Sequence, residues 1–213
     1  AKPSPEKVDF VLKKALNKKG LSLEEVGVLI NIDNREALEK LFSAAGQVKQ
    51  EIYGERLVLF APLYISSYCV NDCVYCGFHC SNKAERRRLT FQEIEEQVKA
   101  IEDMGHKRIL LECGEDERNS PIDFVVDAIE TIYKTKSKRG EIRRVNVNIA
   151  ATTIENYKKL KNCGIGTYQL FQETYHRPTY EKIHRGPKAD FERQLFAHDQ
   201  AFAAGIDDLG LGV

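Results

Sequence analysis

The chain carries no surplus charge of either sign, because 32 lysines and arginines balance 32 aspartates and glutamates. That balance gives no pointer to a polyanion or an anionic membrane as the main partner, and nucleic-acid binding is not expected. Long hydrophobic runs are also missing. The longest apolar stretch, Leu57 to Ile65, is interrupted by Pro62 and is far too short to span a bilayer. The N-terminus lacks an apolar secretory segment, so the expected location is the cytoplasm. No internal repeat or low-complexity tract is visible. What is present is a 213-residue chain, 42% hydrophobic, which is long enough to bury a core as a soluble globular protein. It also has six cysteines. Without an export signal, a tight cluster of them reads as metal binding rather than as disulfides.

Residues 1–55 read as a helical lead-in, with helices at Glu6 to Lys19, Ser22 to Asn31 and Arg35 to Tyr53. Ser22 and Glu25 have the spacing of a capping box. From residue 56 to 213 the pattern changes to short apolar strands separated by capped helices, the signature of βα units around a parallel sheet. The predicted strands are Leu57 to Ile65, Arg108 to Cys113, Arg144 to Ile149, Thr167 to Phe171 and Ile206 to Val213. Between the first two lies a helix at Phe91 to Met104, capped by Thr90 and Glu93 and stopped by Gly105. Ser120 is the predicted cap of the next helix, with Pro121 in its first turn. Thr153 caps another that ends at Gly164. A polar segment follows the fourth strand, and then a helix at Asp190 to Ala204. Five parallel strands cannot close an eight-stranded barrel, so the alternatives are an open sheet or a piece of a longer protein. The apolar last strand favours the piece, with about three strands lying outside it.

Cys69, Cys73 and Cys76 give a C-x3-C-x2-C spacing directly after the first predicted strand. Three thiolates on one short loop can ligate three irons of a cubane and leave the fourth iron open for chemistry. Two blander readings stand beside it. Structural zinc wants four closed ligands, and His79 or Cys80 could supply the fourth. Alternatively Cys80 completes an electron-transfer cluster. Cys113 and Cys163 read as small packed hydrophobes.

With an aromatic residue, Tyr75, before the last cysteine, this loop resembles the signature of the radical S-adenosylmethionine (SAM) superfamily. Wider stretches are similar to its aromatic amino-acid lyases: Ala61 to Cys69, Cys76-Gly77-Phe78, and Ser81-Asn82. Arg143 to Thr153 and Gln172 to Tyr180 resemble the [FeFe]-hydrogenase maturase tyrosine lyases (HydG type) more than the thiazole-synthesis tyrosine lyases (ThiH type). The likeness runs from about Ser22 to Val213 and departs from the maturase pattern at His79-Cys80.

The resemblance implies an α/β fold, a radical SAM (β/α) TIM-like barrel of which the first five βα units are present after a helical segment. It implies a [4Fe-4S] cluster on Cys69, Cys73 and Cys76, with SAM chelating the open iron and releasing a 5′-deoxyadenosyl radical. Gly114 and Glu115, at the end of the second strand, match a motif that faces the SAM amino group. Tyr75 matches a residue at the adenine, Glu173 one that holds the ribose or methionine part, and Asn148 is a further candidate. Bland roles exist for each: Glu115 as a turn cap, Tyr75 in the core, Glu173 paired with Arg177 or Lys182, Asn148 on loop amides. The implied reaction is Cα–Cβ cleavage of L-tyrosine to p-cresol and dehydroglycine, the latter yielding carbon monoxide and cyanide for hydrogenase assembly. Expected partners are a flavodoxin or ferredoxin electron donor and hydrogenase maturation proteins. A second iron–sulfur cluster is expected in a C-terminal domain of the full-length protein only. The rival activity is a ThiH-type lyase; the rival of another class is a non-enzymatic zinc or iron–sulfur module. The tyrosine-binding and other catalytic residues are not assigned by the motifs.

Overall fold

The computed structural model describes residues 2–213, which divide into two compact units, one ending at residue 58 and one covering residues 59–213. In the first, α1 (Pro5–Ala15), α2 (Leu23–Ile30) and α3 (Arg35–Tyr53) bury Val8, Val11, Leu12, Val28, Ile32 and Ala37 against one another. Each start is marked by a cap: Ser4, the reciprocal Ser22–Glu25 box, and Asn34. The predicted first helix overruns. It stops at Ala15 because Lys18 and Gly20 turn the chain through left-handed backbone, at φ 58° and 81°.

The second unit opens with β1 (Ala61–Ser66), the cysteine loop and α4 (Phe91–Asp103), then β2 (Arg108–Cys113) and α5 (Ile122–Lys134). A small hairpin follows, β3 (Lys136–Ser137) with β4 (Gly140–Glu141), which the sequence patterns did not suggest. The chain continues as β5 (Arg144–Asn148), α6 (Ile154–Asn162), β6 (Tyr168–Phe171), α7 (Arg177–Ile183), a 3-10 turn at Pro187–Ala189, α8 (Phe191–Leu195), α9 (Ala197–Ala203) and β7 (Leu209–Gly212). Strands β1, β2, β5, β6 and β7 form one sheet in that order, all parallel. Five parallel strands with helical connections between them are the expected first part of a TIM-like barrel, here four βα units and a fifth strand. Ile65, Ile109, Leu111, Val145, Val147 and Tyr168 on one face of the sheet are fully buried with Ile94, Val98, Ile129 and Leu160 from the helices.

Several boundaries in this unit differ from the sequence reading, and the last strand starts at Leu209 rather than Ile206. The first strand begins at Ala61, where its ladder meets Ile109 near the start of β2; Leu57 to Phe60 have no strand partner and are exposed. Ser120 does not cap α5. Its hydroxyl instead donates to the carbonyls of Gly114 and Asp116, both at 3.1 Å, and pins the turn after β2. The polar segment after β6 contains α7, a seven-residue helix without a side-chain cap. The helix predicted from Asp190 to Ala204 breaks at Phe196, whose φ and ψ of −91° and 5° leave the helical region.

Candidate functional site

Parallel strands place their carboxyl ends on one side of the sheet, and the loops that follow β1, β2, β5 and β6 meet there. They enclose a cavity of about 710 Å³ whose wall includes Cys69, Cys73 and Cys76, Gly114 and Glu115, Asn148 and Glu173, together with Tyr75. All eight residues singled out in the sequence therefore face one space.

The cysteine loop is held by backbone bonds on both flanks. Val70 N–H donates to Glu115 O at 2.8 Å, Asp72 N–H to Arg185 O at 3.2 Å and Val74 N–H to Ile183 O at 3.0 Å. Inside the loop, Asp72 accepts from the backbone and hydroxyl of Ser81 and bonds His79 Nδ1 at 2.9 Å. Those bonds, Ser81 first, hold its carboxyl down to about 2. Gly114 is where loop and sheet touch. A Cβ there would lie 2.2 Å from Tyr68 O and 2.9 Å from the Cβ of Cys69, so no larger residue fits without moving the loop.

Cys73 is 3% exposed, and burial pushes its thiol up. Cys69 and Cys76 are partly buried, whereas Cys80 is exposed and absent from the cavity wall. Cys113, at the end of β2, is desolvated and pushed up to about 12, and it packs against the core; Cys163 is likewise raised by burial, to about 11. Among the described residues no three His, Cys, Asp or Glu side chains form a group fit to hold a single metal ion. A cubane makes a different demand, one iron per thiolate, so its three cysteines need to share a wall rather than converge on a point. The donor set Cys69, Cys73 and Cys76 fits that demand.

The remaining polar groups are positioned by residues the motifs did not reveal. Glu115 accepts from Arg193 at 2.6 Å and from Asn71 Nδ2 at 2.7 Å. Asn71, 3% exposed, also lies 3.7 Å from Cys69 Sγ and accepts from Lys188 N–H at 2.8 Å. Glu173 stands at φ 69°, a left-handed conformation uncommon outside glycine and asparagine, and its carboxylate pairs with Lys188 at 3.2 Å. Neither Arg177 nor Lys182 is its partner; Arg177 pairs with Glu192. Tyr75 is half-exposed rather than core. Its hydroxyl meets His184 Nε2 at 2.8 Å, while His184 Nδ1 meets Tyr180 O at 3.0 Å. A carbonyl can only accept, so Nδ1 carries the proton and Nε2 accepts from Tyr75. Burial lowers the His184 pKa, consistent with a neutral ring. Asn148 makes no side-chain hydrogen bond among the described residues and opens onto the cavity.

A family model described as the Radical SAM superfamily matches residues 63–213. Over 202 residues the chain is 32% identical to the 2-iminoacetate synthase of Salmonella typhimurium, covering 94% of this chain and 52% of that protein. The crystal structure of HydG, a maturase of the [FeFe]-hydrogenase, aligns with a TM-score of 0.95 and 56% identity, covering 100% of this chain and 47% of that one. HydG from Carboxydothermus hydrogenoformans aligns at TM-score 0.82 and 43% identity, over 97% of this chain and 48% of the other. The chain thus spans about half the length of these relatives.

Proposed function

The chain belongs to the radical SAM superfamily, and from that premise we propose that it serves a tyrosine lyase of the hydrogenase-maturase type. The observation that carries this reading is the 56% identity to a HydG over the whole chain. The cavity supports it, with three thiols on one wall and two carboxylates held ready by cations on another.

In this reading Cys69, Cys73 and Cys76 hold the [4Fe-4S] cluster, and the Gly114 backbone and Glu115 face the SAM amino group. Tyr75 lies at the adenine, and Asn148 and Glu173 at the ribose or methionine part. When bound, the reduced cluster would spend one electron on the sulfur–C5′ bond of SAM, and the chemistry supplied to the substrate would be a 5′-deoxyadenosyl radical that accepts a hydrogen atom. The protein's share is orientation. Arg193 and Asn71 fix both oxygens of Glu115, Lys188 fixes Glu173, and His184 fixes the Tyr75 hydroxyl. Groups locked in this way need little reorganisation when a charged ligand arrives. The substrate is L-tyrosine and the products are p-cresol and dehydroglycine; in a full-length maturase a second cluster would supply the chemistry that turns dehydroglycine into carbon monoxide and cyanide. A flavodoxin or ferredoxin in the cytoplasm supplies the electron. The 32% identity to a 2-iminoacetate synthase favours one second reading, a ThiH-type lyase that releases dehydroglycine for thiazole synthesis.

The test is an anaerobic assay of the full-length protein with dithionite, SAM and tyrosine. Formation of 5′-deoxyadenosine, p-cresol, carbon monoxide and cyanide is the expected result. Absence of 5′-deoxyadenosine would end the radical reading. p-Cresol without carbon monoxide or cyanide would transfer the assignment to the second one.

A further inference from the structure

Three carboxylates line the cavity, and they are not equivalent. Glu115 holds Arg193 and Glu173 holds Lys188. Glu112, on β2 just before the Gly114 turn, has no salt bridge among the described residues, and the polar neighbour acting on its carboxylate is the uncharged Tyr64 hydroxyl. Strand alternation explains where it points. Leu111 is fully buried on the helix side, so its neighbour Glu112 falls on the opposite face, which is the cavity face.

The ladder extends this position into a row. Tyr64 pairs with Glu112, and Glu112 pairs with Asn148. All three line the cavity, at the level just beneath the cysteine loop and the Gly114 turn. Tyr64 is 49% exposed and meets Phe78 edge to face, with ring centroids 5.6 Å apart, so one end of the row is aromatic. The other end is the unbonded amide of Asn148. A partly desolvated carboxylate without a counter-charge costs stability, and a fold retains such a group where a ligand supplies the missing cation.

We infer that Glu112 anchors the α-ammonium group of an aromatic amino-acid substrate, with Tyr64 and Phe78 as the wall against its ring. This rests on the amino-acid-lyase reading and adds the substrate contact that the motifs leave unassigned. Charge decides the choice of group. An amino acid carries one cation, and of the three cavity carboxylates Glu112 is the one without a cationic partner among the described residues. Burial, the larger influence, and the nearby Tyr64 hydroxyl act on Glu112 in opposite directions, and burial prevails, so the carboxylate gains from a cationic partner.

The experiment is anaerobic titration calorimetry on the reconstituted full-length protein with SAM present, comparing wild type with Glu112→Gln. L-Tyrosine is expected to bind the variant at least about tenfold more weakly, since a desolvated ion pair has lost one partner. The des-amino analogue of tyrosine, lacking the ammonium group, is expected to bind both proteins alike, and SAM affinity is expected to be unchanged. Equal tyrosine affinity in the two proteins would overturn the inference. So would a loss of des-amino binding as large as that of tyrosine, which would place another substrate group at Glu112. If the variant fails to take up iron, the wild type alone decides, because the ammonium contact requires it to prefer tyrosine over the des-amino analogue. Should the wild type bind a different amino acid, and Glu112→Gln weaken that one, the tyrosine assignment fails while the anchor stands.

Discussion

Asn71 and Glu115, 44 residues apart in sequence, are joined by a 2.7 Å hydrogen bond that ties the cysteine loop to the turn after β2. The amide also accepts from the Lys188 backbone, so one buried side chain links three segments of the cavity wall. Replacing it by leucine would leave a carboxylate oxygen and a backbone N–H without partners. Asn71→Leu is expected to lose about 2–4 kcal/mol in urea denaturation, from two unsatisfied buried groups. A double-mutant cycle of Asn71→Ala with Glu115→Ala should show coupling of at least about 0.5 kcal/mol. Additive losses would mean that the bond contributes nothing.

The thiols divide by position. Cys80 is exposed and lies off the cavity wall, whereas Cys73 is buried within it. Anaerobic reconstitution of this chain should give about four irons and four sulfides. Cys80→Ser should retain them, and Cys73→Ser should lose them. Equal loss from both would point to four-cysteine ligation, and one zinc without sulfide would end the cluster assignment.

Much of this arrangement is legible in the sequence because it is local. The capping boxes Ser22–Glu25 and Thr90–Glu93 both form, and β2 and the body of β5 lie where apolar runs place them. Cys69, Gly114, Asn148 and Glu173 share a cavity because strand order alone sends the ends of β1, β2, β5 and β6 to one side. What escaped depends on distant partners. The apolar run at Leu57 to Phe60 has no ladder because β2 does not reach it. Ser120 could cap a helix or bind a turn, and only the position of Gly114 decides between them. Arg193 reaches Glu115 across 78 residues and His184 reaches Tyr75 across 109, beyond any local pattern. Tyr64 and Glu112 were within reach, since alternation against Leu63 and Leu111 assigns their face.

Glu173 combines a charge with a left-handed backbone at φ 69°, and substitutions can separate the two. Asparagine tolerates this conformation and valine does not. Glu173→Asn is expected to stay within about 0.5 kcal/mol of wild type, because a partly exposed ion pair contributes little. Glu173→Val should lose about 1–3 kcal/mol through backbone strain. Thermal melts of the two variants in parallel are the check; similar melting temperatures would show that the turn relaxes freely.

Glu102 on α4 is fully buried, neither of its carboxylate oxygens is hydrogen-bonded among the described residues, and Lys107 lies 3.7 Å away. At that distance the pair offsets desolvation only in part. Lys107→Met, which also removes a bond to Arg139 O, should cost about 3–5 kcal/mol by stranding the carboxylate. The double replacement with Glu102→Met should recover most of that loss. A double variant as unstable as the single one would show that the lysine acts through Arg139 instead.

Glu112, without a cationic partner among the described residues, makes a stability statement that needs no ligand. Desolvation pushes its carboxyl above the ordinary value of 4.5, with a smaller downward pull from Tyr64. The folded chain therefore binds this proton more tightly than the unfolded chain. Its contribution is intact below the unfolded pKa, declines as pH rises through the raised folded value, and stays at its low level above that. Glu112→Gln removes the ionisation, so the apo variant should be more stable than wild type at neutral pH. The difference should shrink as pH falls toward about 4. Urea denaturation across that range reads it directly, and a difference that does not change with pH would mean that the carboxylate is already satisfied in the free protein. A variant that gains stability while losing tyrosine affinity would show that the cost of this charge is maintained for binding.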